Sequence, residues 1–214
     1  ERVMDRISGF MIHYNCENAD FDLFDRQLSR IEDEFGALLS RLKWVSLGGG
    51  IHFTGEGYPV DRLAARLKAF ANRFGVQVYL EPGEAAITNC ASLEVTVLDI
   101  LNNGKDLAVV DSSVEAHMLD LLIYRQAGKM ETAGDHPYMI CGKSCLAGDI
   151  FGEFSFPAPL NVGDRLSIAD AAGYTMVKKN WFNGVKMPSI VVRELDGSLT
   201  VAREFGYADY ESSL

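Results

Sequence analysis

A chain of 214 residues with 48% hydrophobic side chains and a formal net charge of −10 can hold one large domain or two modest ones, each with an ordinary globular core. The acidic balance argues against a nucleic-acid surface and suits a cationic ligand. No apolar run reaches the roughly 20 residues that span a bilayer, and the opening ERVMDRISGF lacks the basic start and apolar centre of a signal peptide. A cytoplasmic protein with no membrane or nucleic-acid partner is therefore expected. Cys16, Cys90, Cys141 and Cys145 contain one close pair, C-x3-C, with no second ligand pair, so no metal site is expected and the cysteines read as thiols.

Ser8 to Cys16 reads as a mostly apolar strand that turns polar at its end, which places His13, Asn15, Cys16 and Glu17 at its C-terminal mouth. Phe21 to Leu42 repeats apolar residues at 21, 24, 28, 31, 35, 38, 39 and 42, a helical period, with Asp20 in the N-cap position. Trp44 to Leu47 is a second strand, and it runs straight into Gly48, Gly49 and Gly50. Three consecutive glycines suit neither strand nor helix. Their N–H groups, unobstructed by Cβ atoms, can form a concavity for a phosphate, and the same triplet can equally make a plain tight turn. Val60 to Phe74 is a second amphipathic helix stopped by Gly75, and Val76 to Leu80 is a third strand that ends at Glu81-Pro82-Gly83-Glu84. This β-α-β-α-β series puts its polar residues at the C-terminal strand ends, the face on which α/β barrels do chemistry. A whole barrel takes eight such units and about 250 residues, so residues 1–84 are either a smaller open sheet or the last part of a longer barrel.

From Ala85 the pattern changes. Ser92 to Asn102, Leu107 to Asp111 and Leu166 to Asp170 read as strands, and Ser189 to Arg193 and Leu199 to Arg203 flank the Asp196-Gly197 hairpin signal. Val114 to Tyr124 reads as a short helical stretch and Gly128 to Pro137 as a loop, so residues 85–214 are expected to form a separate β-rich domain.

The ordered run H-Y-N-C-E at 13–17, L-G-G-G at 47–50, E-P-G-E at 81–84, C-L-A-G-D at 145–149, G-Y-T-M-V-K at 173–178 and F-N-G at 182–184 resembles the pyridoxal-phosphate decarboxylases with an alanine-racemase-like barrel. That family includes the ornithine, diaminopimelate and carboxynorspermidine decarboxylases. The resemblance covers essentially the whole chain and favours the second alternative for residues 1–84: the C-terminal part of a (β/α)8 barrel that binds pyridoxal 5'-phosphate, followed by a β-domain. It implies a homodimer in which the β-domain completes the neighbouring subunit's site. It also implies roles for individual residues. Gly48, Gly49 and Gly50 bind the cofactor phosphate through backbone N–H groups. Glu81 meets the pyridine nitrogen and favours its protonated form, which can then accept the electrons released as CO2 leaves. His13 stacks on the ring, Tyr174 contacts the phosphate or ring, and Cys145 assists reprotonation of the substrate carbon. Asp149 helps to bind the distal amine, Asp120 is a further carboxylate for an amine, and Asn183 shapes the adjoining loop. By residue type alone, Glu81 also reads as a solvated loop carboxylate, His13 as a satisfied strand-end residue, Cys145 as an inert thiol and Tyr174 as a packing aromatic.

Two departures narrow the substrate. Ornithine and diaminopimelate decarboxylases carry E-P-G-R where this chain has Glu84, and a carboxylate there is left to meet a cationic amine rather than the phosphate. Diaminopimelate decarboxylases place an acidic residue after the cysteine, where this chain has Leu146. Both agree with the carboxynorspermidine branch, whose substrate is a long carboxylated triamine. The family's cofactor-bearing lysine belongs to the first barrel strand, and none of the lysines present stands in that context. The expectation is a C-terminal portion of a longer enzyme, inactive alone. Rival readings are another decarboxylase of the family, a racemase with the same barrel, and a non-catalytic relative that acts through dimerisation or a partner. Retention of Glu81, Cys145 and Asp149 together speaks against the last.

Overall fold

The structure, a computed structural model, describes residues 6–214. The chain divides after Thr88 into two compact units. In the first, strands β1 (Gly9–Met11), β2 (Trp44–Ser46) and β3 (Gln77–Tyr79) lie parallel in the order β1-β2-β3, with Phe10, Val45 and Val78 side by side. Helices α1 (Phe21–Leu39) and α2 (Val60–Phe74) make the crossovers that parallel pairing requires. Phe21, Phe24, Leu28 and Ile31 recur every three or four residues and so bury one face of α1, against Leu63, Phe70 and Phe74 of α2 and against Val45 and Leu47. Asp20 starts α1 by accepting the N–H groups of Asp22 and Leu23. Gly75, at φ 67°, stops α2. The two helices are also locked by charge: buried Glu32 receives both Arg66 (3.0 Å, 3.0 Å) and Arg73 (3.1 Å), and Arg66 reaches on to Asp25 at 2.5 Å.

Strand and helix ends are corrected inward. Pairing in β1 stops at Met11 rather than Cys16, because residues 15–18 turn back on a side-chain hydrogen bond from Asn18 to Asn15 and an isolated bridge between Asn18 and Ile51. α1 stops at Leu39 rather than Leu42, since Arg41 and Leu42 donate to carbonyls three residues back and tighten the chain into a turn.

The second unit runs from Asn89 to Leu214. Its main sheet holds β4 (Ser92–Asn102), β5 (Asp106–Val110), β6 (His136–Cys141), β7 (Ile150–Phe156) and β8 (Arg165–Ala169), in the order β7-β6-β5-β4-β8. All pairs are antiparallel except β5 with β6. That parallel pair needs a crossover, supplied by α3 (Val114–His117), α4 (Leu119–Tyr124) and the segment 125–135. Leu93, Val95 and Val97 alternate inward from β4 to meet Val110, Ile140, Phe151 and Ile168 in one core. After α5 (Tyr174–Lys178), β9 (Ile190–Arg193) and β10 (Leu199–Arg203) form the hairpin anticipated around Asp196-Gly197, and α6 (Tyr207–Glu211) follows. Strands β6 and β7 are a correction: residues 136–137 belong to β6 and not to a loop, and no strand was foreseen at 150–156. Pro137 and Gly152 interrupt the strand pattern there. Pro137 is tolerated because β6 pairs with β5 only from Met139 onward.

Candidate active site

At the C-terminal ends of the three parallel strands the glycines let neighbouring loops close on one another. A Cβ at Gly49 would lie 2.4 Å from the carbonyl oxygen of Glu81, and one at Gly50, whose φ is 81°, 2.5 Å from that of Asn15. The carbonyl of Gly48 accepts Glu81 N–H and that of Gly50 accepts Asn18 N–H, so the loops after β1, β2 and β3 are tied together. Gly48 donates its own N–H to Ser46 Oγ at 3.2 Å. Among the described residues no acceptor meets the N–H groups of Gly49, Gly50 and Ile51, and three successive donors of this kind suit an anion. Of the three glycines expected to bind a phosphate, Gly48 has its N–H taken, and the open donors run from Gly49 to Ile51.

Ser46, the last residue of β2, was not singled out by sequence reasoning, yet it organises this end of the sheet. Its hydroxyl donates to Glu81 Oε1 at 2.5 Å while accepting from Gly48, which fixes one carboxylate oxygen of Glu81 beside the cradle. A lone hydroxyl in an otherwise buried strand, two residues before the glycines, was the available signal. The imidazole of His13 lies against Gly48, with Nδ1 where a side chain at 48 would have to begin. Asn15 is 1% exposed; its Oδ1 accepts from Asn18, and its Nδ2 is a buried donor with no partner among the described residues. A free donor row, an oriented carboxylate and an exposed imidazole are the groups that a phosphate, a protonated pyridine nitrogen and a ring face require, so the residues fit pyridoxal phosphate. Glu84, in the turn after β3, stands with Glu17 and His52: their ligating atoms lie within 4.8 Å of one another, and His52 Nε2 is 2.8 Å from Glu17 Oε2. Two carboxylates and an imidazole so close together favour a cation.

In the second unit Cys145 is exposed on the loop between β6 and β7. Asp149, expected to hold the substrate's distal amine, is 4% exposed, and its oxygens accept from Val114 N–H (2.7 Å), Ser144 N–H (3.0 Å) and Ser144 Oγ (2.5 Å). Asp120, expected to bind an amine, is 9% exposed and accepts from Lys178 Nζ at 2.6 Å. Of these two aspartates, Asp149 is filled by backbone and hydroxyl donors, whereas Asp120 holds Lys178 through Oδ1 and keeps a buried Oδ2 that has no partner among the described residues. Lys178 also lies 4.9 Å from the ring centre of exposed Tyr174, so Tyr174, Lys178 and Asp120 come together. The lysine was not singled out for this role.

Beside the Cys145 loop, His117 is 4% exposed, with Nδ1 2.8 Å from Ser112 Oγ and Nε2 unpartnered among the described residues. Burial, reinforced by Lys143, pushes its pKa down to about 4. The unfolded chain therefore takes up the proton first as the pH falls. Stability from this group is complete above the ordinary histidine value of about 6.5 and is lost towards pH 4, a change on the order of 3 kcal/mol. Urea unfolding of the full-length protein at pH 7.5 and 5 should show about 2 kcal/mol of this loss, and His117→Gln should flatten it. Equal acid sensitivity in the two proteins would rule out His117 as its source.

Residues 3–172 match the family described as pyridoxal-dependent decarboxylase, C-terminal sheet domain. The chain is 61% identical over 213 residues to a carboxynorspermidine/carboxyspermidine decarboxylase of Herminiimonas arsenicoxydans, covering 99% of this chain and 58% of that one. It is 38% identical to a carboxyaminopropylagmatine decarboxylase of Synechocystis, covering 97% and 55%. Its fold matches the crystal structure of carboxynorspermidine decarboxylase from Campylobacter jejuni complexed with norspermidine, with a TM-score of 0.93, 36% identity, and coverage of 99% of this chain and 62% of that one. The chain thus spans little more than half the length of the curated relatives it matches. Among the described residues no helix is long and apolar enough to cross a membrane. The chain belongs to the pyridoxal-dependent decarboxylases and carries their C-terminal sheet domain.

Proposed function

We propose that the protein is a pyridoxal-phosphate-dependent carboxy-lyase of polyamine synthesis, converting carboxynorspermidine or carboxyspermidine to norspermidine or spermidine as a cytoplasmic homodimer. The observation that carries this reading is the Ser46–Glu81 pair beside the donor row of Gly49, Gly50 and Ile51. The 61% identity to a decarboxylase so named supports the choice of substrate, as does a net charge of −10 in a protein whose substrate is a polycation.

When bound, pyridoxal phosphate supplies the electron sink for the pair released as the substrate carboxylate leaves as CO2. The chain's own residues do the rest. The N–H groups of Gly49, Gly50 and Ile51 hold the phosphate. Glu81, its carboxylate oriented by Ser46, holds a proton at the pyridine nitrogen, and His13 covers a ring face. In the homodimer Tyr174, like Cys145, serves the neighbouring subunit's cofactor site, where it presents its hydroxyl and ring. Cys145 returns the proton to the substrate carbon that has lost the carboxylate, and Glu84, with Glu17, receives an ammonium group of the substrate.

The test is an assay of the full-length protein with added pyridoxal phosphate, measuring CO2 and product together. One CO2 per norspermidine or spermidine formed is the expected result. Absence of CO2 from both substrates, with the cofactor bound, would overturn the reading, and a higher kcat/KM on ornithine or diaminopimelate would reassign the substrate.

A further inference from the structure

The loop that carries Cys145 is held from two sides, and both holds lead back to one short helix. Asp149, at the end of the loop, binds Val114 N–H at the head of α3 with one oxygen and Ser144, through its N–H and hydroxyl, with the other. On the opposite side, Cys145 donates its own N–H to Asn183 Oδ1 at 2.6 Å. The turn that bears Asn183 is itself tied to α3. Asn180 donates its N–H to Ala116 O at 2.8 Å and its Nδ2 to Glu115 O at 3.1 Å, and its Oδ1 accepts Phe182 N–H at 2.7 Å. The hydrogen bonds close a ring that runs from α3 through Asn180, Phe182, Asn183, Cys145, Ser144 and Asp149 back to α3.

Two local features show that this ring is built for its place. Asn183 has φ 58° and ψ 15°, the left-handed region that asparagine enters more readily than most residues. A Cβ at Gly142 would lie 2.2 Å from Asp149 Oδ1, so only glycine leaves room for the buried carboxylate. A carboxylate as buried as Asp149 persists only with several donors around it, and it has three. A buried anchor thus supports an exposed thiol.

We propose that Asn183 and Asp149 are positioning residues that hold the Cys145 loop in one conformation, so that the thiol delivers its proton to one point. The proposal rests on the role given above to Cys145. Asn183 acts on the backbone of Cys145 and Asp149 on its neighbour Ser144.

The experiment is a series at position 183 in the full-length holoenzyme, read twice: by amide exchange of the peptide spanning 142–149, and by kcat and KM on carboxynorspermidine. Asn183→Gly keeps the left-handed turn open and removes only the acceptor, whereas Asn183→Asp keeps an acceptor oxygen in place. Glycine should speed exchange about tenfold and lower kcat by about 10- to 100-fold with KM little changed, the scale expected when a reacting group is displaced by about 1 Å. Aspartate should restore both. Unchanged exchange in Asn183→Gly overturns the clamp. Faster exchange with wild-type kcat overturns its service to catalysis, and Cys145→Ser in parallel locates the failure: if that variant also keeps wild-type kcat, the role given to Cys145 has failed. Asp149→Asn places a donor where an acceptor is needed and should shift the same two readouts in the same direction. Wild-type values in that variant would remove Asp149 from the proposal.

Discussion

Glu81→Gln should lower kcat by about 10²- to 10⁴-fold, the range lost when a positioned proton-holding group is removed, while leaving the protein folded. Glutamine preserves the shape and can still accept from Ser46, so the 2.5 Å contact that orients the side chain has a counterpart in the variant. What disappears is the negative charge that keeps a proton at the pyridine nitrogen. Glu81 is exposed in the chain, and surface substitutions of this kind shift stability by about 0.5 kcal/mol or less, so thermal melts should coincide with wild type. The measurement is kcat at saturating substrate and cofactor. Activity within about fivefold of wild type, well short of the loss expected from removing an essential proton holder, would mean that Glu81 is only a solvated loop carboxylate.

Gly49→Ala should fail differently, in cofactor binding as well as in turnover. Its added Cβ would stand 2.4 Å from the Glu81 carbonyl oxygen, closer than the 3.0 Å below which real Cβ contacts essentially never fall. That oxygen is main chain, on a residue whose own N–H is tied to Gly48 O at 2.9 Å, so relief requires the loops after β2 and β3 to part. Overpacking of this kind costs about 1–3 kcal/mol of stability. Parting the loops also spreads the Gly49–Ile51 donors and moves Glu81. Losing even one hydrogen bond to a charged group, about 1.5–3 kcal/mol, raises the cofactor's Kd at least about tenfold. Titration of the apo-protein with pyridoxal phosphate, followed by absorbance, measures this directly. Wild-type affinity in the alanine variant would dismiss the cradle and leave the glycines as a turn.

Both variants touch groups that were visible in the sequence, but the serine that orients one of them was not. The glycines stood out because three in a row suit neither strand nor helix, and Glu81 because the resemblance gives it the pyridine nitrogen. Ser46 did not, since a serine closing a buried strand looks like any small polar residue until a carboxylate from the next strand is brought to it. Asp149 and Asp120 show the opposite case. Both were visible as acids near motifs, and both were assigned to an external amine. Their actual donors, Val114, Ser144 and Lys178, come from elements up to 58 residues away.

The local chain was sufficient for the β-α-β-α-β order, the buried faces of α1 and α2, the Asp20 cap, the Gly75 stop and the β9–β10 hairpin, because periodicity, capping and turn chemistry act over a few residues. The parallel pairing of β5 with β6, the place of β7, the open donor row of Gly49–Ile51 and the hydrogen-bonded ring around Cys145 were decided only by the tertiary structure. Each depends on which distant backbone groups are already satisfied, and that accounting closes only when the whole chain is in place.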